Sequence, residues 1–226
     1  MRAAIFDLDG TLADTSGDLL AAANACFPAP LLREEADRAL AFRGGRAMLR
    51  QALERRDGGC DEADVERLFP RLLEHYAEHI DRETTLFPGV VAALDAMSAR
   101  GWSLGVCTLK PESLAEELLR RLGIRDRFAT LLGADSLPFK KPDPRHLFEA
   151  VAQSGGRAEA SVLIGDSQTD RDTARNAGIP CVLVTFRPAG LDVAAMQPAA
   201  LLDSFDDLPD LLDGMIPAGA VADGGR

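Results

Sequence analysis

Short apolar runs alternate along this chain with segments whose apolar residues recur every three to four positions. The first run, residues 3–6 (Ala-Ala-Ile-Phe), predicts a buried strand. It stops at Asp7, and Gly10-Thr11 break the extended path. The pattern then turns helical. Ser16 or Asp18 is placed to cap a helix running to about Phe27, where Pro28 and Pro30 stop it. Residues 32–42, 47–56 and 63–80 carry the same spacing, punctuated by Asp57-Gly58-Gly59. No strand pattern occurs between about 15 and 82, so this block predicts a small helical domain inserted after the first strand.

From Pro88-Gly89 onward, helix and strand patterns alternate. A helix over 90–100 is closed by Gly101, and a strand over 102–107 ends at Thr108. Pro111 opens a helix that Gly123 closes, and 129–132 is a weak strand. Helix 144–154 precedes Gly155-Gly156, and strand 161–164 ends at Gly165-Asp166. Helix 169–177 is closed by Gly178; strands follow at 181–184 and 200–202, then a helix over 208–212. Residues 214–226 are rich in Gly and Ala and predict a loose tail. Strands separated by helices mean right-handed crossovers and a parallel sheet. The predicted fold class is α/β: a Rossmann-like open parallel sheet with helices on both faces, plus a small inserted α-helical domain. The predicted core domain is 1–14 with 83–213, and the insertion is 15–82. In such sheets ligands bind beyond the carboxyl ends of the strands. Asp7, Thr108 and Asp166 each stand where a strand run ends.

Composition narrows the function classes. The 226 residues are 46% hydrophobic and 27% charged, ordinary for a globular protein, and suffice for a sizeable core. A formal net charge of -11 argues against broad nucleic-acid binding or attachment to anionic membranes. Cys26, Cys60, Cys107 and Cys181 are scattered without a C-x-x-C pair, which fits a reducing cytosol. No apolar run approaches the roughly 20 residues of a membrane span, and the first run ends too early for a signal peptide. A cytoplasmic protein, monomeric or homodimeric, is expected.

Asp7 and Asp9 are two apart, so on an extended segment they face one space. Paired carboxylates repel, and a cation or a proton must offset the repulsion. A Mg²⁺ site with a nucleophile meets that need; on this pattern alone a solvated turn fits as well. Asp166 adds hard carboxylate oxygens suited to Mg²⁺. Asp170 stands near a helix start, either as a charge favoured there or as a group orienting a metal-bound water. An anionic phosphate among these acids needs more positive charge. Lys141, stiffened by Pro142 and Pro144, is placed to pair with phosphoryl oxygens and with the nucleophile. Lys140 reads as a solvent-facing neighbour. The Thr108 hydroxyl is a donor for a phosphate oxygen.

The order D-x-D-G-T, a strand ending in Thr, K-P, then G-D-S-x-x-D resembles the haloacid dehalogenase superfamily of phosphotransferases across residues 6–178. The strings at 87–90, 141–144 and 174–178 resemble its phosphoglycolate phosphatase-like branch. The resemblance implies that Asp7 attacks phosphorus, forming an aspartyl-phosphate. It makes Asp9 general acid and then base. Thr108 and Lys141 would hold phosphoryl oxygens, while Asp7, the Asp9 carbonyl and Asp166 would bind Mg²⁺. The helical insertion becomes a mobile cap over the site. One departure stands out: Leu109 follows Thr108, where the family often has Asn.

Substrate choice is hardest to read. Phe42-Arg43-Gly44-Gly45-Arg46 joins two cap helices, and Arg43 or Arg46 could take a substrate carboxylate, with Gly44 beside it. A helix junction with solvated arginines is the plainer account. His75 and His79 share a helix face without an evident third ligand, and His146 is expected to be exposed. The leading expectation is a phosphatase acting on a small phosphate ester, 2-phosphoglycolate above others. A sugar phosphomutase on the same site is the nearest alternative, and a non-catalytic binding protein on the same scaffold is the other.

Overall fold

The computed structural model describes residues 1–186 and 192–218. Its strands are β1 (Arg2–Phe6), β2 (Ala13–Asp14), β3 (Thr85–Leu86), β4 (Trp102–Cys107), β5 (Thr130–Leu132), β6 (Ser161–Gly165), β7 (Cys181–Val184) and β8 (Ala200–Leu202). Its α-helices are α1 (Ser16–Asn24), α2 (Glu34–Ala41), α3 (Gly45–Asp57), α4 (Glu62–Glu78), α5 (Val90–Ala99), α6 (Glu112–Arg121), α7 (Pro144–Gln153), α8 (Gln168–Ala177) and α9 (Leu208–Met215). Contacts divide these residues into two compact units, one of 1–12, 86–186 and 192–218, the other of 13–85.

The first unit is built on a six-stranded sheet in the order β5-β4-β1-β6-β7-β8, every pairing parallel. The chain steps from β1 outward through β4 and β5, then returns to β6 on the other side. The strand order therefore reverses at β1, and such a reversal opens a crevice at the carboxyl edge. Register fixes what lines it: Phe6 lies opposite both Val106 and Ile164, so Asp7, Thr108 and Asp166 all leave the sheet at that edge.

All five residues of β1 are buried, because a parallel sheet is covered on both faces. Alternation divides them. Ala3 and Ile5 pack with Leu163, Leu183, Leu147 and Val151 in one cluster under α7. Phe6 points the other way and meets the Phe128 ring edge-on at 6.1 Å.

The second unit holds four helices, the short strand β2 and Thr85 of β3, the strand that pairs with β2. Buried Asp18, on the first turn of α1, accepts from the Glu83 and Thr84 amides and, at 2.7 Å, from the Thr84 hydroxyl. The start of α1 is thereby tied to the segment after α4. Gly17 makes room for this, since a Cβ there would fall 2.3 Å from a Glu83 carboxylate oxygen.

The sheet follows the predicted pattern, while some helix ends move. α1 stops at Asn24, ahead of the prolines, because the Asn24 side chain accepts from the Leu31 and Leu32 amides and turns the chain back. α9 continues to Met215, inside the expected loose tail, and Ile216 is buried beside the Arg2 side chain, which donates to its carbonyl. The rest of that tail, 219–226, lies outside the described residues.

Candidate active site

β1 ends by delivering Asp7, whose side chain is almost wholly buried. Gly10 then adopts φ 81°, a left-handed conformation that a side chain would resist, and the chain turns back so that Leu12 donates to the Leu8 carbonyl. One Asp7 oxygen accepts from the Leu8 amide at 2.7 Å. The other lies 2.9 Å from the Lys141 ammonium.

Lys141 is buried and also donates to Asp170 at 2.7 Å. Lys140 beside it is exposed, and the Lys141–Pro142 peptide is cis. Burial works against the Lys141 charge, but Asp170 and then Asp7 outweigh it and hold the ammonium protonated. Burial pushes the Asp7 pKa up to about 6, against the pull of Lys141, with the Asp170 and Asp9 charges adding to the rise.

Asp170 is committed on both oxygens. One takes Lys141; the other accepts from the Asp166 and Ser167 amides and the Ser167 hydroxyl. Ser167 accepts in return from the Asp170 amide, closing a capping box at the start of α8. Asp170 therefore anchors Lys141 and the Asp166 loop together. A Cβ on Gly165 would sit 2.3 Å from the Asp170 carboxyl carbon, so glycine is required in that motif. Asp166 accepts from the Thr11 hydroxyl at 3.3 Å.

Carboxylate oxygens of Asp7, Asp166 and Asp170 lie within 4.8 Å of one another, all three residues buried. Lys141 pairs with two of the three, Asp7 and Asp170. The donor set is all hard oxygen, and the excess negative charge fits a small divalent cation such as Mg²⁺. Asp9 turns its carboxylate elsewhere, to Lys110 at 2.8 and 3.0 Å. Thr108 is buried, and its hydroxyl accepts from the Lys110 amide at 3.2 Å. Leu109 leaves its side chain 43% exposed, so it takes no part in this packing.

A family model described as haloacid dehalogenase-like hydrolase matches residues 4–184. The chain belongs to the haloacid dehalogenase-like hydrolase family. A phosphoglycolate phosphatase of Agrobacterium fabrum (strain C58) is 37% identical over 224 residues, 97% of this chain and 96% of its own. One from Mesorhizobium japonicum is 39% identical over 207 residues, 90% and 91% of the two chains. A solved structure described as a predicted phosphoglycolate phosphatase from Haemophilus somnus superposes with a TM-score of 0.83 at 26% identity, covering 93% and 97%.

In this hydrolase the core unit gathers Asp7, Lys141 and Asp166, joined by Asp170, and places Asp9 against Lys110. Arg43 and Gly44 belong to the second unit, where both are exposed between α2 and α3 and Gly44 has φ 89°. Arg46 pairs with Glu66 at 2.6 Å and stacks over Phe69. The His79 ring meets the His75 carbonyl at 3.0 Å, and neither histidine joins a potential metal cluster among the described residues.

His146 corrects an expectation. It is fully buried, between the Cys107 sulfur at 3.3 Å and the Gly133 carbonyl at 3.1 Å. Asp143 caps α7 by accepting from the Arg145 amide, and the first turn then carries His146 inward. Burial, then the Lys141 charge, lower its pKa. A neutral ring accepting from the thiol at Nδ1 and donating to the carbonyl at Nε2 satisfies both contacts. The Cys107 thiol is pushed up to about 12 by burial, which makes it inert. Sequence reasoning also passed over Lys110 and Thr11. Lys110 has no pattern of its own in the sequence; only the surplus of acids over Lys141 hinted at further positive charge nearby.

Proposed function

We propose that this hydrolase is a Mg²⁺-dependent phosphatase that cleaves 2-phosphoglycolate through an aspartyl-phosphate at Asp7. The observation that carries the reading is the buried Asp7 oxygen facing Lys141, itself anchored by Asp170. A carboxylate fixed this way is aimed rather than free to rotate, and such positioning is a large part of phosphoryl-transfer catalysis. The phosphoglycolate phosphatases matching nearly the whole chain favour the substrate.

The steps follow from the residues. An Asp7 carboxylate oxygen attacks phosphorus, and the bond to the substrate's ester oxygen breaks. A proton that Asp9 takes up from solvent on substrate binding passes to that oxygen, releasing glycolate. Asp9, now a carboxylate, takes a proton from water as the water oxygen attacks the phosphorus of the aspartyl-phosphate. The bond between Asp7 and phosphorus breaks, inorganic phosphate forms and Asp7 returns as a carboxylate. Lys141 and Thr108 hold the phosphoryl oxygens. Asp7, Asp166 and the Asp9 backbone carbonyl would hold Mg²⁺, which supplies charge neutralisation for the transferred group. Arg43 and Gly44 of the helical unit are the proposed contacts to the leaving group, in the role of a cap. The scattered free cysteines favour the reducing cytosol.

Phosphate release from 2-phosphoglycolate, sugar phosphates, nucleotides and pyrophosphate, with Mg²⁺ present, tests this. The expected result is release from 2-phosphoglycolate well ahead of the others. An isomerised sugar phosphate without net phosphate release would replace the reading with a phosphomutase. No release from any ester by folded protein would leave a binding protein.

A further inference from the structure

Asp7 and Asp9 are like charges two residues apart, and the Asp9 charge is felt at Asp7. Lys141 compensates Asp7 and Asp170. Asp9 has its own cation. The Lys110 side chain is 3% exposed and grips both Asp9 oxygens, at 2.8 and 3.0 Å. A two-oxygen grip fixes the rotation of a carboxylate as well as its place.

The grip is built into the fold. The Lys110 amide donates to the Thr108 hydroxyl, and the Lys110 carbonyl accepts from Ala134 at 2.9 Å. Gly133 is what lets the loop after β5 come so close: a Cβ there would lie 2.3 Å from the Glu112 amide nitrogen and 2.8 Å from the Lys110 carbonyl oxygen. His146 adds to this by donating to the Gly133 carbonyl at 3.1 Å. The Lys110 backbone is therefore held by Thr108 of its own segment and by the loop after β5, and the side chain spans from the end of β4 to the turn after β1.

We propose that Lys110 is the positioning residue for Asp9, holding its carboxylate away from Asp7 and aligned for proton transfer with the leaving oxygen and the attacking water. The proposal rests on the acid–base role given to Asp9 above. Each carboxylate of the D-x-D pair thus faces a buried lysine, Lys141 from one loop and Lys110 from another.

The test is a double-mutant cycle on Lys110→Met and Asp9→Asn, with steady-state kinetics on 2-phosphoglycolate and on p-nitrophenyl phosphate. Lys110→Met is expected to lower kcat by about 10- to 100-fold on both esters, the scale of a slightly misplaced catalytic group, with little change in KM. Lys110→Arg should recover much of the loss. In an Asp9→Asn background, Lys110→Met should cost almost nothing further, because its effect passes through Asp9. Additive losses would overturn the proposal. So would a rise in KM confined to 2-phosphoglycolate, which would make Lys110 a reader of the substrate carboxylate. Folding is checked by circular dichroism, and Lys110→Gln replaces the Met variant if that does not fold. If wild type is inactive on 2-phosphoglycolate yet cleaves p-nitrophenyl phosphate, the substrate assignment fails while the Lys110 cycle still reads out. If wild type cleaves neither ester, both fall.

Discussion

His146 shows how far one residue's role depends on its surroundings. Its ring fills a space between β4 and the loop after β5 and is held neutral there. In the unfolded chain it titrates near 6.5. The folded pKa lies lower, so below about 6.5 the unfolded state binds more protons and folding stability declines as pH falls. Above that window the contribution is fully present. Asp7, raised to about 6, contributes the opposite slope below that pH in both proteins, so the difference is what counts: on acidification from pH 7 to 5 in urea unfolding, wild type should lose more stability than His146→Gln, and equal pH dependence would contradict the burial of His146. Nothing in the local sequence signalled this, because a histidine just after Asp-Pro-Arg reads as a solvated first turn. The place of Asp7, Thr108 and Asp166 at the sheet's carboxyl edge was legible for a simple reason: each follows or ends an apolar run, and a buried parallel strand must end where polar residues begin. Lys110 was not, since a lysine before Pro111 has no pattern of its own.

At the scale of elements, the segment joining β6 to α8 ties the core site together. Gly165 ends the strand, Asp166 and Ser167 donate their amides to Asp170, and Asp170 reaches Lys141 from the loop before α7. Gly165→Ala would drive a methyl into the Asp170 carboxylate. Overpacking of that kind costs about 1–3 kcal/mol, read as a lower urea midpoint, and the displaced lysine should lower phosphatase activity at least tenfold in the folded variant. Unchanged activity would mean that the Asp170 contacts do not position Lys141. The strands and most helices here were readable from periodicity and from closing glycines such as Gly101, Gly123 and Gly178. The end of α1 was not, because Asn24 turns the chain with its side chain, a contact that leaves no trace in apolar spacing. The strands β2 and β3 are two residues each, too short to show a period.

At the scale of the molecule, an acidic chain has concentrated negative charge in one buried place. Asp7, Asp166 and Asp170 pack together at the sheet's carboxyl edge with Lys141 among them. A bound cation would relieve that repulsion, so Mg²⁺ should raise the melting temperature and a chelator should reverse the rise. At a hundredfold excess over its dissociation constant, a ligand of the folded state stabilises by about 2.7 kcal/mol. Asp166→Asn should abolish most of the Mg²⁺-induced shift; a shift of the same size in that variant would remove Asp166 from the metal site. The parallel sheet was legible because strand and helix patterns alternate from residue 88 onward. Among the described residues no helix is long and apolar enough to cross a membrane.

The account turns on Asp7 as the group that takes the phosphoryl. The most direct measurement is the rate of phosphate release from 2-phosphoglycolate by wild type and by Asp7→Asn, with Mg²⁺ present and folding verified by circular dichroism. The account predicts rapid release by wild type and none above background from the variant, whose amide cannot form the anhydride. Turnover by Asp7→Asn within tenfold of wild type would contradict it.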